Sequence, residues 1–492
     1  MIKMTEFDLL KLSLDYILSL NNIYNIQVQA NNYFFENNKN SIQKNFKYYF
    51  GGYSKFVKKY DINLTKDFIY KNDYFTTREM YLLSPAHYLY YTFNVFKLCS
   101  YICSEDIVDF STDRIKVFYS GLLEFSTVNT KNNARFSNSY NKFVDYKNEF
   151  SDTRVLTFDI QDFFKNIKIE TLISKLRSLT SDIRNNNLKI TIDNLSDFLS
   201  CNFKSLPQLH YSIASSILSQ IYLIDFTDSL TKILAKSHKD FLAVRFVDDF
   251  YVKIPKFTRT KTINNILDQL NYELWKDNLN LNSNKTRLFN KIEYQNKMEL
   301  RLFKESAFEE VKKFPQNKLI IEKVNWLLQN DAKMLEEFLG KLNSIEKKSG
   351  SDSLKYKKVL EKYIEVDGGN ISKVFNELIY SHRFQSININ TLKRIISNNK
   401  YILFNPSQFT IFFILVNNYL FKKTGISYID LLDSLIEHNE RIPSFFKNNV
   451  IISNYFLQKA MSKYSSEQQF LKKLNKTYLN FIDNYILSQS DE

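Results

Sequence analysis

The amino-acid sequence predicts an α+β protein. A mixed strand-and-helix region spans residues 81–300, a helical segment over 1–80 packs against it, and an all-α, helical-repeat-like domain follows over 301–492. Three observations carry this. Two apolar runs, Val155-Leu-Thr-Phe-Asp-Ile-Gln-Asp-Phe-Phe164 and the stretch from Phe241 to Ile254, are rich in β-branched and aromatic residues and run into aspartates, as strands ending at polar turns do. Beyond residue 300 the apolar positions recur at helical spacing instead. Glycine and proline are scarce, 8 and 6, against 43 Phe and 32 Tyr, which favours long, aromatic-packed helices over a turn-rich β architecture.

From the N-terminus, Phe7, Leu10, Leu14, Ile17 and Leu18 stand at helical spacing, ahead of an Asn- and Tyr-rich stretch over residues 21–60; the reading is helix, loop and helix. Thr76-Thr-Arg-Glu79 has the S/T-x-x-E form of a helix start. Leu83-Ser-Pro-Ala-His-Tyr-Leu-Tyr90 then opens an aromatic helix reaching Cys99. His87 in it is either a nucleotide contact or, more ordinarily, a helix-start histidine with its hydrogen bond satisfied. Residues 128–150 interleave Lys131, Arg135, Lys142 and Lys147 with Phe136, Tyr140 and Phe143. That mixture suits a grip on phosphates and bases, and a solvated charged face would share its composition.

The chemistry concentrates at the strand ends. Asp248-Asp249 lies between two strand-forming runs, so the geometry expected is a hairpin with both carboxylates at its turn. Adjacent like charges repel unless a cation offsets them, although Asp is also ordinary turn chemistry. The upstream strand running into Asp159 and then Asp162 favours a metal. Two strands ending in aspartates can converge on hard cations, because Mg²⁺ prefers carboxylate oxygens and shares them with substrate phosphates.

Lys+Arg 67 against Asp+Glu 53 gives a net charge of +14, which suits a polyanionic partner. Cys99, Cys103 and Cys201 show no pairing pattern, as expected in a reducing compartment, and Cys99-Ser-Tyr-Ile-Cys103 lacks a second ligand pair for zinc. The start carries no signal-peptide profile, and the longest apolar run, Phe409 to Val416, is far short of the roughly 20 residues that span a bilayer. A cytoplasmic protein with no membrane partner is the expectation. In the C-terminal region Leu319 to Leu327, Met334 to Leu342, Ile371 to Ile379, Ile395 to Leu403, Phe409 to Leu420 and Tyr428 to Ile436 suggest stacked antiparallel helices, with soft breaks at 347–352 and 366–370. No Arg-x4-6-His ribonuclease motif accompanies His382 or His438.

Four segments together resemble a known family. Asp159-Ile-Gln-Asp-Phe-Phe164 looks like the first catalytic motif of reverse transcriptases, and Phe246-Val-Asp-Asp249 like their Tyr-x-Asp-Asp motif, with Phe for Tyr. Leu206-Pro-Gln-Leu-His-Tyr to Leu223 is similar to the Pro-Gln-Gly segment and helix that hold the nascent base pair. Leu279-Asn-Leu-Asn-Ser-Asn-Lys-Thr286 is similar to the segment whose lysine approaches the triphosphate. The order and spacing are the family's over residues 80–290, and Ser84-Pro-Ala-His87 resembles the region ahead of the fingers in its bacterial abortive-infection, defence-associated branch.

The resemblance implies a right-hand palm and fingers followed by a helical domain where a thumb would be. It implies Asp159 and Asp248 as ligands of two Mg²⁺ ions, with Mn²⁺ as a substitute, and Asp249 beside them in support. Lys285 would be the general-acid or phosphate-contacting lysine, and Phe164 the gate against a ribose 2′-hydroxyl. Gln208, Arg135 and Lys142 would contact the nucleotide. The implied activity is DNA synthesis from dNTPs in antiphage defence, untemplated and primed from a tyrosine of the protein, so that DNA stays covalently attached, in a homo-oligomer. Which tyrosine is unknown. Leu209 stands where the family has glycine and would crowd an ordinary template, and neither a primer-grip hairpin nor a ribonuclease H cluster is recognisable. The alternatives are templated copying of a dedicated noncoding RNA and a nucleic-acid-binding scaffold that no longer catalyses.

Overall fold

The structure is a computed structural model that describes residues 4–20, 25–46, 50–60, 65–70, 77–103, 105–125, 136–237, 240–298, 383–397, 406–428 and 431. The chain forms two compact units, one of residues 1–22, 38–61 and 86–298, the other of 23–37, 62–85 and 299–492. The described strands are β1 (Thr65–Tyr70), β2 (Thr77–Leu82), β3 (Ile115–Phe118), β4 (Arg154–Asp159), β5 (Leu242–Phe246), β6 (Asp249–Ile254) and β7 (Arg287–Phe289). The helices are α1 (Glu6–Leu18), α2 (Ile26–Lys44), α3 (Tyr53–Lys59), α4 (Pro85–Ile102), α5 (Phe136–Asn148), α6 (Phe163–Asn166) and α7 (Ile169–Leu179). They continue with α8 (Asn186–Asn202), α9 (Ile213–Tyr222), α10 (Ile224–Ser237), α11 (Thr260–Lys276), α12 (Ile389–Ile396) and α13 (Pro406–Thr424).

The first unit is built on a sheet of order β3-β5-β6-β4-β7, in which only β3 and β5 run parallel. Strand β4 is buried along almost its whole length, as befits an inner strand covered on both faces. On one face Phe158 and Phe250 stack with ring centroids 4.5 Å apart, and Phe226 of α10 meets Phe250 edge-on at 5.6 Å. On the other, Val155, Val244 and Tyr251 form a core with Phe143 of α5, Phe150, Tyr294 and Met298. The sheet is therefore clamped between helices, and its strand ends are held firmly.

Helix α1 starts as its sequence dictates: the Thr5 hydroxyl accepts from the Asp8 N–H at 3.1 Å while the Asp8 carboxylate accepts from the Thr5 N–H at 3.1 Å. Of its predicted stripe, Leu10, Leu14 and Ile17 are buried and Leu18 is half-buried, whereas Phe7 is exposed. Two N-terminal expectations fail. Residues 1–80 are divided between the two units, so they do not form one helical segment. Thr77 to Leu82, read as a helix start, is strand β2, paired antiparallel with β1 from Thr65↔Leu82 to Tyr70↔Thr77. The alternation of exposed Glu79 and half-buried Tyr81 with buried Met80 and Leu82 outweighs the local capping pattern.

In the second unit the described part of the C-terminal region is helical. Helix α13 contains the apolar run from Phe409 to Leu420, whereas α12 ends at Ile396, two residues into the run Ile395–Leu403, of which 398–403 lie outside the described residues. The runs over 319–342 and 371–379, nearly all of 428–436, both soft breaks, His382 and His438 lie outside the described residues. Among the described residues no helix is long and apolar enough to cross a membrane.

Candidate active site

Three of the four sequence segments, 159–164, 246–249 and 279–286, meet at one end of the central strands, and Gln220 of the fourth bonds to Arg245 of β5. Asp159 ends β4 and Asp249 begins β6, and the register pairs them directly, so they project from the same face with Cβ atoms about 4.5–5.5 Å apart. Asp248 precedes β6 in a two-residue turn, Val247-Asp248, closed by the pair Phe246↔Asp249. The turn is thus one residue earlier than expected: only Asp248 occupies it, and Asp249 belongs to the strand. The Asp248 carbonyl accepts the Ile160 N–H at 3.3 Å, which ties the turn to the end of β4.

The segment 279–286 lies alongside. The Gln161 N–H donates to the Asn280 carbonyl at 2.9 Å and the Asn282 N–H to the Asp159 carbonyl at 2.7 Å. This brings Lys285 Nζ to 2.7 Å from Asp159 Oδ2 and Asn282 Nδ2 to 3.1 Å from Asp159 Oδ1. Asp159 is buried, whereas the Lys285 side chain is 61% exposed, so one partner is fixed and the other free to swing.

Negative charge is crowded here. Burial, and then the charge of Asp159, push the Asp248 carboxyl up to about 7, with Asp249 adding to the effect and Lys285 opposing it. Burial also raises Asp249, against the pull of Lys297 and Lys147. Burial tends to lower Lys285, but its hydrogen bond to Asp159 and the charges of the three aspartates leave it raised. Three carboxylates pressed together beyond what their neighbours neutralise form a donor set that suits a divalent cation. Among the described residues no three His, Cys, Asp or Glu side chains form a ready-made cage. Mg²⁺ does not need one, since it takes one or two carboxylates and completes its shell with water and phosphate.

The other expected residues are less uniform. Phe163 is buried at 2% exposure while Phe164 is half-exposed, its ring 5.6 Å from that of Phe163, so the two phenylalanines divide between core and surface. Asp162 is exposed at φ 44° ahead of α6 and takes no part in the cluster. Gln208 is half-buried in the extended segment before α9. Leu209 is 6% exposed, so most of its side chain is covered by protein. His87 is buried against the Phe56 ring, edge-on at 4.9 Å. Lys142 is exposed on α5, and Arg135 lies outside the described residues.

Sequence reasoning passed over two positions. Lys147 is 4% exposed, with Nζ 4.9 Å from the Phe143 ring and 5.0 Å from that of Tyr251, on the Asp249 side of the sheet. Helical phase could have found it, because Lys147 lies four residues after Phe143 and shares its face, whereas Lys142 does not. Asn282 was hidden by the Asn-rich composition of its loop.

Residues 105–316 match the family described as reverse transcriptase (RNA-dependent DNA polymerase), which gives this stretch as a nucleotidyltransferase domain. No curated protein sequence matches the chain. Among solved structures, apo telomerase from Candida tropicalis is similar at 11% identity and a TM-score of 0.26, covering 68% of this chain and 57% of that one. Telomerase from Candida albicans, in complex with a TWJ fragment of telomeric RNA, is similar at 12% identity and a TM-score of 0.26, covering 86% and 67%. Likenesses this distant carry no function across.

Proposed function

We propose that the chain, whose residues 105–316 match the reverse transcriptase family, is a metal-dependent DNA polymerase that joins deoxynucleotides at the Asp159, Asp248 and Asp249 cluster. The observation that carries the reading is the direct pairing of Asp159 with Asp249 beside the Asp248 turn, with Lys285 on Asp159 Oδ2. In this reading Asp159 and Asp248 hold two Mg²⁺ ions, or Mn²⁺ in their place, with Asp249 in support. When bound, the ions orient the attacking hydroxyl and offset charge on the leaving pyrophosphate. Lys285 neutralises Asp159 in the absence of nucleotide and has the reach to contact a phosphate or protonate the leaving group. Phe164 excludes a ribose 2′-hydroxyl, and Gln208, Lys142 and Arg135 contact the nucleotide.

The finer reading is untemplated synthesis in antiphage defence by abortive infection. The DNA is primed from a tyrosine hydroxyl and stays attached to the protein, in a cytoplasmic homo-oligomer. The resemblance of Ser84-Pro-Ala-His87 to the defence-associated branch supports it. Templated copying of a noncoding RNA is the second reading, favoured by the RNA-dependent activity in the description of the matching family.

Incubating the purified protein with each labelled dNTP, with and without prior ribonuclease treatment, tests both. Label that migrates with the protein and survives ribonuclease is the expected result. Synthesis that stops on RNA removal selects the templated reading, an Asp248→Asn variant as active as wild type would move the chemistry away from this cluster, and wild-type protein that incorporates no dNTP would leave only a binding scaffold.

A further inference from the structure

The Asp248 turn is held from behind by a buried cation. Arg245 lies on β5, three residues before Asp248, with 0% of its surface exposed. Strand alternation places it on the Phe250 face of the sheet, away from the carboxylates, and its guanidinium sits 5.6 Å from the Phe250 ring centroid. Nη1 donates to the Val247 carbonyl at 2.8 Å and to Gln220 Oε1, and Nη2 donates to Thr227 Oγ1 at 3.1 Å. Gln220 is on α9 and Thr227 on α10, and both are buried. All three acceptors are neutral, Nε is buried without a hydrogen-bond partner among the described residues, and the charge of Asp248 acts on the guanidinium through space.

A cation buried among neutral acceptors is an expensive way to fill a core, and a well-packed apolar side chain is often at least as stable there. What it secures is visible at Val247, whose φ of 55° is in the left-handed region. A β-branched residue resists that conformation, and the first position of a tight hairpin turn with positive φ ordinarily calls for glycine. A fixed donor on the Val247 carbonyl keeps the peptide in the orientation that presents Asp248.

We propose that Arg245 is a positioning residue for the reaction: through Val247 it sets where the Asp248 carboxylate stands, and through Gln220 it locks that turn to the helix that follows Pro207-Gln208. The proposal rests on the polymerase reading above, since it assigns Asp248 a role in the chemistry. It ties the acidic turn to α9, the helix that follows the Gln208 segment, by direct hydrogen bonds through one side chain. Neither the family match nor the four sequence motifs include Arg245 in that role.

Arg245→Lys and Arg245→Met test it. Lysine keeps the charge but offers a point donor in place of a planar fork, and methionine removes the charge while filling the volume. Both are expected to lower kcat by about tenfold to a hundredfold with KM for dNTP nearly unchanged. Both should also weaken binding of Mn²⁺ alone, followed by titration without nucleotide. Arg245→Met leaves three buried acceptors without a donor and should melt below wild type, so its kcat is compared per folded molecule, whereas Arg245→Lys should melt near wild type. A Gln220→Leu variant should lower kcat in the same direction, and combined with Arg245→Met should add little, because the two act as one unit.

Wild-type kcat and Mn²⁺ binding in Arg245→Lys would overturn the proposal and leave the polymerase reading intact. So would a kcat loss that merely follows the loss of folded protein. If wild-type protein incorporates no dNTP, the polymerase reading fails. Mn²⁺ binding then decides alone: weaker binding in the Arg245 variants upholds the positioning role at a metal site, and equal or absent binding overturns it.

Discussion

Two cations flank the Asp248 turn, and they are deployed in opposite ways. Lys285, in front, has an exposed stem and an ion pair with Asp159 at 2.7 Å. Arg245, behind, is wholly buried and bonded to neutral groups on α9, α10 and the turn itself. The front cation is exchangeable, because a mobile lysine on a carboxylate gives way to a metal or moves to a phosphate. The rear one is fixed in place, because both Nη atoms of its fork are bonded to the turn and to the two helices. The pair separates charge that reacts from charge that holds, and substitutions on either side should separate in the same way.

The largest effect should come from the turn between them. Asp248→Asn is expected to reduce dNTP incorporation by on the order of 10³, measured as initial rate. The same change should stabilise the metal-free protein. The Asp248 carboxyl stands at about 7 in the fold against 3.8 as the ordinary value, so its contribution to stability is present below pH 4 and lost as the pH rises to about 7. Denaturant titrations across that window should show a wild-type decline that the variant lacks, worth roughly 1–2 kcal/mol at pH 8 after allowing for partial solvent access.

Next in size, Lys285→Ala should slow incorporation about 10²-fold and raise KM for dNTP, whereas the Arg245 variants leave KM alone. Equal KM effects on the two sides would erase the distinction. Phe164→Ala should admit ribonucleotides, lowering discrimination against rNTPs by roughly tenfold or more in competition assays. An unchanged dNTP preference would move the gate elsewhere.

The smallest effect lies away from the turn. Burial lowers the His87 imidazole to about 4, so the fold requires it neutral. Stability should therefore fall as the pH drops from 6.5 to 4, and His87→Gln should remove about 1–3 kcal/mol of that dependence in equilibrium unfolding. A variant that keeps the full dependence would place the titrating group elsewhere.

The acidic centre was legible because its residues break a pattern. Asp159, Asp248 and Asp249 end or begin apolar strand runs, where a charge has no packing reason to be. Lys285 was legible only through the resemblance of its segment, since by composition it is one lysine in an Asn-rich loop. The supporting residues were not legible. Arg245 in an apolar strand reads as a solvent-facing position until the helices on both sides of the sheet are known. Composition weighs Lys142 and Lys147 equally, and it is helical phase that puts only Lys147 on the face of the buried Phe143. The β1–β2 pair was lost for the opposite reason: a local cap signature at Thr76 suggested a helix where cross-strand pairing prevails.

The sheet order also sets a schedule for the newborn chain. Strand β4 lies between β6 and β7, both of which leave the ribosome long after it. A growing chain thus carries Asp159 on an unpaired, highly apolar segment until Asp249 arrives, and Lys285 follows later still. Such distant pairing slows assembly and prolongs exposure of sticky backbone. Nascent chains truncated before residue 289 should consequently depend on chaperones, and synthesis must run through β7 before the acidic centre can close.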